Sequence, residues 1–176
     1  MEPNELERFE AVVLPHLDAA YTLARYLMRD DHDAQDVVQD AYLRAVKYFG
    51  GFRGEGPGAG RPWLLTIVRN TANTWRQRHR ADALATEFDE ERHSEMVADD
   101  HPEATAVAQS ERATLRRAID DLPPEFREVI VLRELEGMSY KEISDVAGVP
   151  VGTVMSRLSR ARRRLEEALC PASEDC

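Results

Sequence analysis

The sequence predicts an all-α protein in which two small helical domains are joined by a flexible acidic linker. Apolar residues recur at three- and four-residue steps through most of the chain, as they do along one face of a helix. No segment shows the strict two-residue alternation of a strand. Nine acids and one base lie in 81–108, which has no sustained periodicity. We therefore expect domains at 1–80 and 109–170, a linker at 81–108 and a tail at 171–176.

The composition of the 176 residues limits the class of protein. Charged residues make up 32% and aromatic residues 7%, which favours a helical protein with a modest core. No run of 18 apolar residues is present to span a membrane, and the acidic start MEPNELERFE lacks the pattern of a signal peptide, so we expect a cytoplasmic protein. Two cysteines, Cys170 and Cys176, are too few for a disulfide framework. They are most simply incidental, although a redox or metal role for the tail stays open.

Helices are predicted through the first 48 residues. The first apolar stripe, which starts close to Pro15, consists of Val13, Leu17, Ala20, Ala24 and Leu27. The run Asp30-Asp31-His32-Asp33 breaks this helix, and we expect Asp33 to cap the next one. The buried face of that next helix is predicted to hold Val37, Val38, Ala41, Ala45 and Val46.

A glycine-rich loop and a basic helix follow. Residues 50–60, GGFRGEGPGAG, hold six of the nine glycines, which predicts a mobile loop. Pro62 suits the first turn of a helix that continues through residue 80 and carries five bases and no acids from 61 to 80. Its predicted buried stripe is Leu64, Ile67, Val68, Thr71 and Trp75. For Trp63, outside this stripe, core packing and base stacking stay equally open.

The opposite face of this basic helix is polar. Asn70, Asn73, Gln77 and Arg80 fall at i, i+3, i+7 and i+10, so they share one stripe. Asparagine and glutamine can pair bidentately with base edges, and arginine binds phosphate. Phe52 and Arg53 in the adjacent loop are candidates for base stacking and a phosphate contact. The stripe therefore predicts a nucleic-acid surface.

A helix-turn-helix is predicted near the C-terminus. Helical pattern resumes at about Thr105, is interrupted by Pro123-Pro124, and restarts with Phe126, Val129, Ile130 and Leu132. Tyr140–Ala147 then forms a short helix, and Gly148 ends it because glycine adopts a left-handed conformation at little cost. The second helix buries Val154, Leu158, Ala161 and Leu165. This spacing is typical of a DNA-binding helix-turn-helix.

The exposed face of that second helix is basic in a chain whose net charge is −10. Its predicted DNA-binding residues are Thr153, Ser156, Arg157, Arg160, Arg162 and Arg164. The arginine fork matches a guanine edge or a phosphate bidentately. The alternative is a solvated basic helix in a three-helix bundle. We expect the acidic segments to discourage nonspecific DNA binding by the free protein.

Three segments resemble one family. LPPEFREVIVLRELEGMSYKEISDVAGVPVGTVMSRLSRARRRL, residues 122–165, closely resembles region 4 of bacterial RNA polymerase sigma factors of the extracytoplasmic-function group. DAQDVVQDAYLRAV, residues 33–46, resembles region 2.2, and residues 52–80 resemble regions 2.3 and 2.4. Two departures are Met155, at a position often basic in the group, and the GPGAG insert in the loop.

The resemblance implies the partners and the roles of the site residues. Region 4 would bind the promoter −35 element and the β flap of core RNA polymerase. Region 2.2 would bind the β′ clamp through Asp36, Gln39, Asp40 and Leu43. Regions 2.3 and 2.4 would melt and read the single-stranded −10 element, with Asn70 in the wall of a pocket for a flipped base. An anti-sigma factor is a further expected partner.

Other classes of function are less consistent with the residues. Neither Asp30-Asp31-His32-Asp33 nor the pair His93 and His101 has a known metal-ligand spacing, so no metal or cofactor is expected. No catalytic triad or phosphate-binding motif is present, which predicts no catalysis by this chain alone. A stand-alone helix-turn-helix regulator and an anti-sigma decoy are the alternatives. Neither explains both basic segments.

Overall fold

The computed structural model describes residues 1–85 and 105–170, and in these two ranges it consists of helices with their connecting turns. The α-helices are α1 Pro3–Val13, α2 Leu17–Met28, α3 Asp31–Tyr48, α4 Gly60–Ala85, α5 Ala106–Asp120, α6 Pro124–Ile130, α7 Tyr140–Ala147 and α8 Val151–Leu169. Leu14–His16 and Phe49–Gly51 are 3₁₀ turns, and Val131–Leu135 is a π-helical segment. The predicted all-α class is confirmed.

Helices α1 to α4 form the N-terminal domain around an apolar and aromatic core. Helices α2, α3 and α4 pack against one another, and α1 packs on α4. Phe9 is fully buried and meets the rings of Tyr42 and Phe49 edge-on, at centroid distances of 5.4 and 5.2 Å. On α3 the predicted Val37 is buried, whereas Val46 is exposed, because the core lies against a narrower stripe than the sequence pattern indicated.

The start of α3 differs from the prediction. The helix begins at Asp31, and Asp30, not Asp33, is its N-cap: an Asp30 carboxylate oxygen accepts a hydrogen bond from the backbone N–H of Asp33 at 2.9 Å. Asp31 forms an ion pair with Arg25 of α2, at 2.6 Å. This pair ties the first turn to α2, and the helix starts three residues earlier than a cap at Asp33 predicts.

The glycine-rich segment is held at both ends. Phe49–Gly51 forms a 3₁₀ turn and α4 begins at Gly60, so the loop proper is 52–59. A Cβ atom on Gly60 would collide with the backbone of Val12, which shows how closely α1 approaches the start of α4. Pro62 lies in the first turn of α4, as predicted.

Helices α5 to α8 form the C-terminal domain. Phe126, Val129 and Ile130 of α6 are buried against α8, as the sequence predicts. Helix α7 has the predicted bounds: Ser139 and Glu142 form a capping box at its start, and Gly148 ends it with a left-handed φ of 67°. The predicted helix-turn-helix is α7 and α8.

The ends of the predicted linker are helical. Helix α4 continues to Ala85, five residues beyond the predicted boundary, because ADALA contains good helix formers and no breaker. Helix α5 begins at Ala106, where the Thr105 hydroxyl accepts a hydrogen bond from the N–H of Ala108. The rest of the predicted linker, 86–104, and the tail 171–176 lie outside the described residues.

The two domains pack against each other. Helix α7 lies on α4, and α6 lies on α2. Arg127 of α6 is buried, and its guanidinium donates to carbonyl oxygens of its own domain, Ile119, Asp120 and Leu122, and to the carbonyl of Tyr26 in the N-terminal domain at 3.2 Å. Sequence patterning did not predict this closed arrangement.

Candidate nucleic-acid interface

The polar stripe of α4 is largely open to solvent. Asn70, Gln77 and Arg80 are exposed. Asn73 is half-buried, and its side-chain oxygen accepts a hydrogen bond from Arg76. Three of the four predicted readers on this helix are therefore available, and Asn73 is engaged within the stripe.

Phe52 does not lie where the sequence analysis placed it. The side chain is 5% exposed, stacks on Phe49 at a centroid distance of 5.7 Å and lies 5.0 Å from the ring of Trp63. Gly54 fits closely under its edge, so the ring is covered on that side too. In this structure the Phe52 ring belongs to the aromatic core, so it is not exposed for the stacking on a base that the sequence predicts.

The neighbouring aromatic and basic side chains are also held by the protein. Trp63 packs half-buried against Phe49 and Phe52, which favours the packing interpretation for it. Trp75 is half-buried, and its ring stacks on the ring of His79 at a centroid distance of 3.3 Å. Arg53 is exposed, but its guanidinium donates to the carbonyl oxygens of Gly50 and Phe52, at 2.7 and 3.2 Å, and so lies along its own loop.

The exposed face of α8 carries most of the predicted −35 residues. Ser156 and Arg160 are exposed, and Thr153 and Arg157 at the edge are half-buried. The Ser156 hydroxyl donates to the carbonyl of Thr153 at 3.2 Å. Arg164 is exposed and its guanidinium lies 5.3 Å above the ring of Phe126, which orients it along one side of the helix. These five residues share one side of α8.

Arg162 lies apart from them. Successive residues are about 100° apart around a helix, so Arg162 falls about 200° from Arg160. Its guanidinium binds the Glu134 carboxylate at 2.7 and 3.0 Å, and this hydrogen bond raises the pKa of Arg162. The side chain therefore braces α8 against the π-helical segment.

Arg163 is a candidate that the sequence analysis missed. Ser156, Arg160 and Arg163 fall at i, i+4 and i+7 and so share one stripe opposite the buried seam. The Arg163 side chain is 82% exposed and makes only a loose ion pair with Glu167, at 3.4 Å. Helical phase was the signal that would have identified it.

The predicted polymerase-binding residues form one exposed stripe on α3. Asp36, Gln39, Asp40 and Leu43 are all exposed and fall at i, i+3, i+4 and i+7. Leu43 is 60% exposed, although it is a large apolar side chain, and Asp40 lies one turn before it on the same stripe. An open groove of about 310 Å³ lies beside this stripe, lined by Leu17, Tyr21, Gln35, Val38, Gln39 and Tyr42.

Charged contacts join the two domains across α4. Arg61 donates to the carbonyl of Glu136 at 2.9 Å and lies 3.7 Å from the Glu142 carboxylate. Arg69 binds the carboxylate of Glu128, which is 4% exposed. Burial raises the pKa of Glu128, while the charge of Arg69 and its hydrogen bond oppose that rise, as do the charges of Arg157 and Arg76.

Two negative observations apply to the described ranges 1–85 and 105–170. No group of three acidic, histidine or cysteine side chains there is arranged to hold a metal ion, and His93 and His101 fall outside these ranges. Within the same ranges no helix is both long and apolar enough to cross a bilayer.

Known families match both domains. The family profile described as Sigma-70 region 2 matches residues 12–81, and the profile described as Sigma-70, region 4 matches residues 112–165. An RNA polymerase sigma-H factor of Pseudomonas aeruginosa is 36% identical over 181 residues, covering 97% of this chain and 91% of that protein. The ECF RNA polymerase sigma-E factor of Escherichia coli K12 is 35% identical over 145 residues, 79% of this chain and 75% of that protein. The chain belongs to the extracytoplasmic-function (ECF) group of sigma factors.

Another relative of this ECF sigma factor is SigE of Mycolicibacterium smegmatis, which is 34% identical over 172 residues. The aligned part covers 95% of this chain and 63% of that relative. The fold is similar to sigma factor RpoE in complex with the anti-sigma factor NepR from Bartonella quintana, with a TM-score of 0.74 at 27% identity, over 92% of this chain and 95% of that one. It is also similar to CnrH in complex with the cytosolic domain of CnrY, with a TM-score of 0.67 at 27% identity, over 96% and 91%.

Proposed function

We propose that this ECF sigma factor docks on core RNA polymerase through α3 and reads two promoter elements, −10 with α4 and −35 with α8. The observation that carries the proposal is the pair of separate polar and cationic helix faces, one on each domain, which coincide with the two matched regions. A stand-alone regulator would need only the face on α8.

The −10 element would be read as single-stranded DNA. Unpairing and flipping a base costs a few kcal/mol, so the protein must hold the flipped base in a pocket. We assign Asn70 to the pocket wall, with Gln77 and Asn73 at base edges and Arg80 on the phosphates. Phe52 supports this surface from within by fixing the loop that presents Arg53.

The −35 element would be read as duplex DNA in the major groove. Helix α8 enters the groove and α7 braces it from the backbone side. Arg157, Arg160 and Arg164 supply base-edge or phosphate contacts, with Arg163 as a fourth cation. Four neutralised phosphates give a slope of about −3.6 for log K against log salt concentration.

The α3 stripe supports a docking role. Exposed Leu43, one turn after Asp40, offers an apolar contact next to the carboxylates of Asp36 and Asp40, which suits binding to a basic, partly apolar protein surface. We assign Asp36, Gln39, Asp40 and Leu43 to the β′ clamp, and the C-terminal domain to the β flap. The sigma factor itself carries out no chemistry and supplies promoter specificity in the cytoplasm, where the polymerase acts.

An anti-sigma factor is the expected regulator. The two similar structures, RpoE and CnrH, are complexes with NepR and with the cytosolic domain of CnrY, and the similarity covers both domains of this chain. We propose that a protein of that class binds this sigma factor as well.

Run-off transcription with core RNA polymerase on a promoter library tests the proposal. Specific starts are expected with the wild type and should be lost with Asn70→Ala, with Arg157→Ala/Arg160→Ala and with Leu43→Asp. Arg112→Ala, an exposed arginine of α5 outside the assigned surfaces, is the matched control and should transcribe normally. If no start occurs while the free protein binds duplex DNA tightly, the chain is a stand-alone regulator instead.

A further inference from the structure

The exposed face of α8 is uncharged over about its first two and a half turns. Helix α8 begins at Val151, and its first exposed arginine is Arg160. Arg157 is half-buried at the edge of this face. The exposed residues before Arg160 are Val151, Gly152, Met155, Ser156 and Ser159. The cationic part of the exposed face therefore starts in the third turn, and the beginning of the helix offers a partner apolar and hydroxyl groups.

Met155 is the largest side chain of this uncharged face. It is 52% exposed, whereas Val154 and Leu158 of the buried seam are 0% and 1% exposed. One residue turns a helix by about 100°, so Met155 points away from Val154. Gly152 and Ser159, one turn to either side, share its stripe. Met155 thus lies outside the apolar core that the described residues form, and its thioether chain is open to a partner.

The place of Met155 in the helix-turn-helix gives this exposure a meaning. Single exposed apolar residues are common on protein surfaces, so exposure alone indicates no function. In a helix-turn-helix the second helix lies in the major groove, and its N-terminal residues contact base edges. Helix α7 and the left-handed turn at Gly148 put α8 in that second position. Met155 is the fifth residue of α8 and therefore falls where base edges are nearest.

Gly152 supplies a second observation at the same place. Glycine is a poor helix former, and the φ of Gly152 is not positive, so the backbone does not require it. A Cβ atom there would meet nothing within 4 Å, so packing inside the chain does not require it either. Glycine is also used where another group approaches the backbone closely. A base pair seated beside Met155 would be such a group.

The chemistry of methionine narrows what Met155 can read. Its side chain has no hydrogen-bond donor and only a weak acceptor. It therefore cannot pair with the donor and acceptor groups that mark adenine, guanine and cytosine in the major groove. The C5-methyl group of thymine is the apolar feature of that groove, and apolar side chains contact it. The unbranched, flexible thioether chain can adapt its shape to cover a methyl group.

We propose that Met155 reads a thymine in the −35 element by covering its C5-methyl group, while Gly152 leaves room for the base pair. This assignment rests on the proposed function, in which α8 enters the major groove of the −35 element. Arg160 and the later arginines keep their contacts to base edges or phosphates. Met155 adds a preference for thymine over cytosine at one position of the element.

Replacing thymine by uracil isolates the methyl group. Uracil pairs with adenine and presents the same acceptor in the major groove, so the two duplexes differ only in the methyl group. Run-off transcription with core RNA polymerase and the promoter library first identifies a promoter and its −35 element. Each thymine of that element, on either strand, is then replaced in turn by uracil. The affinity of the sigma factor with core polymerase for each duplex is measured by competition.

For the wild type, replacement of one thymine should weaken binding about fourfold, which is the value of one buried methyl group. Met155→Ala should bind the thymine and uracil duplexes equally, and it should fold normally because the position is exposed and alanine is a good helix former. Met155→Leu should keep the preference, since leucine is apolar and similar in volume. Leu169→Ala, 40% exposed near the other end of α8, is the matched control and should also keep it.

Equal affinity of the wild type for thymine and uracil at every position would overturn the assignment of Met155, as would a −35 element without a T·A pair. A thymine preference that survives in Met155→Ala would place the methyl group against another residue and overturn it as well. In each of these cases specific starts are still present, so the proposed function stands. No specific start on any promoter would instead refute the proposed function, and the reading of a −35 thymine with it.

Discussion

Replacing Gly54 by alanine tests whether the loop before α4 is built around the buried ring of Phe52. A Cβ atom on Gly54 would lie 2.7 Å from Phe52 Cε2 and 2.7 Å from the Ala59 Cβ, well inside ordinary contact. The Phe52 ring cannot swing away, because it stacks on Phe49 and contacts Trp63. The backbone of Gly54 is not left-handed, so the steric clash is the main cost.

Inserting a methyl group into packed surroundings costs about 1–3 kcal/mol. With a urea m-value of about 2 kcal/mol/M, a loss of 2 kcal/mol lowers the unfolding midpoint by about 1 M. Trp63, which touches Phe52, should report the change by fluorescence, and anisotropy with a −10 oligonucleotide should show weaker binding as the loop presenting Arg53 is displaced.

Gly58→Ala is the matched control. It lies in the same loop, its added Cβ meets nothing within 4 Å, and its φ is not positive, so its midpoint should stay at or slightly above that of the wild type. If Gly54→Ala proved as stable as Gly58→Ala and bound the oligonucleotide as well, the account of Phe52 as the support of this loop would be refuted.

Three further predictions concern stability and can be followed by chemical denaturation. Gly148→Ala should lose about 1–2 kcal/mol because its φ is 67°, whereas Gly152→Ala, in the first turn of α8 with open space around it, should be neutral or gain up to about 1 kcal/mol; equal effects would contradict the turn geometry. Ser139→Ala should cost about 1 kcal/mol through loss of the capping box, and Ser159→Ala, exposed on α8, should cost little. Burial and the charge of Arg61 lower the pKa of His16, so the unfolded chain binds its proton first and the free energy of unfolding should fall as pH drops below about 6.5; His16→Gln should lessen that fall, and identical pH profiles would exclude His16 as the cause.

Local patterns predicted the bounds of a helix well where a nearby residue determines where the helix ends. Helix α7 has the predicted bounds, since Gly148 and the apolar spacing both act within a few residues. The cap of α3 was predicted wrongly because two aspartates, Asp30 and Asp33, are both suitable, and the choice depends on the ion pair between Asp31 and Arg25 of another helix. Residues close in sequence therefore predict that a helix forms, while its first residue depends on contacts with other helices.

The site was predicted less completely for the same reason. Phe52 stands among glycines and charged residues in the sequence and so looked exposed, yet the rings of Phe49 and Trp63 bury it. Arg69 and Glu128 are 59 residues apart, and the sequence shows their opposite charges without showing that they meet. Helical phase alone would have added Arg163 to the exposed stripe of α8 and removed Arg162 from it.

Arg127 bears on how much order the C-terminal domain loses when the domains separate. Of its four carbonyl acceptors, Ile119, Asp120 and Leu122 belong to the domain itself, and only Tyr26 belongs to the other. Separation therefore frees a single N–H group, which water can satisfy, and leaves the junction of α5 and α6 tied by the other three bonds. The domain would reach the promoter already folded, so binding DNA need not order the reading helix.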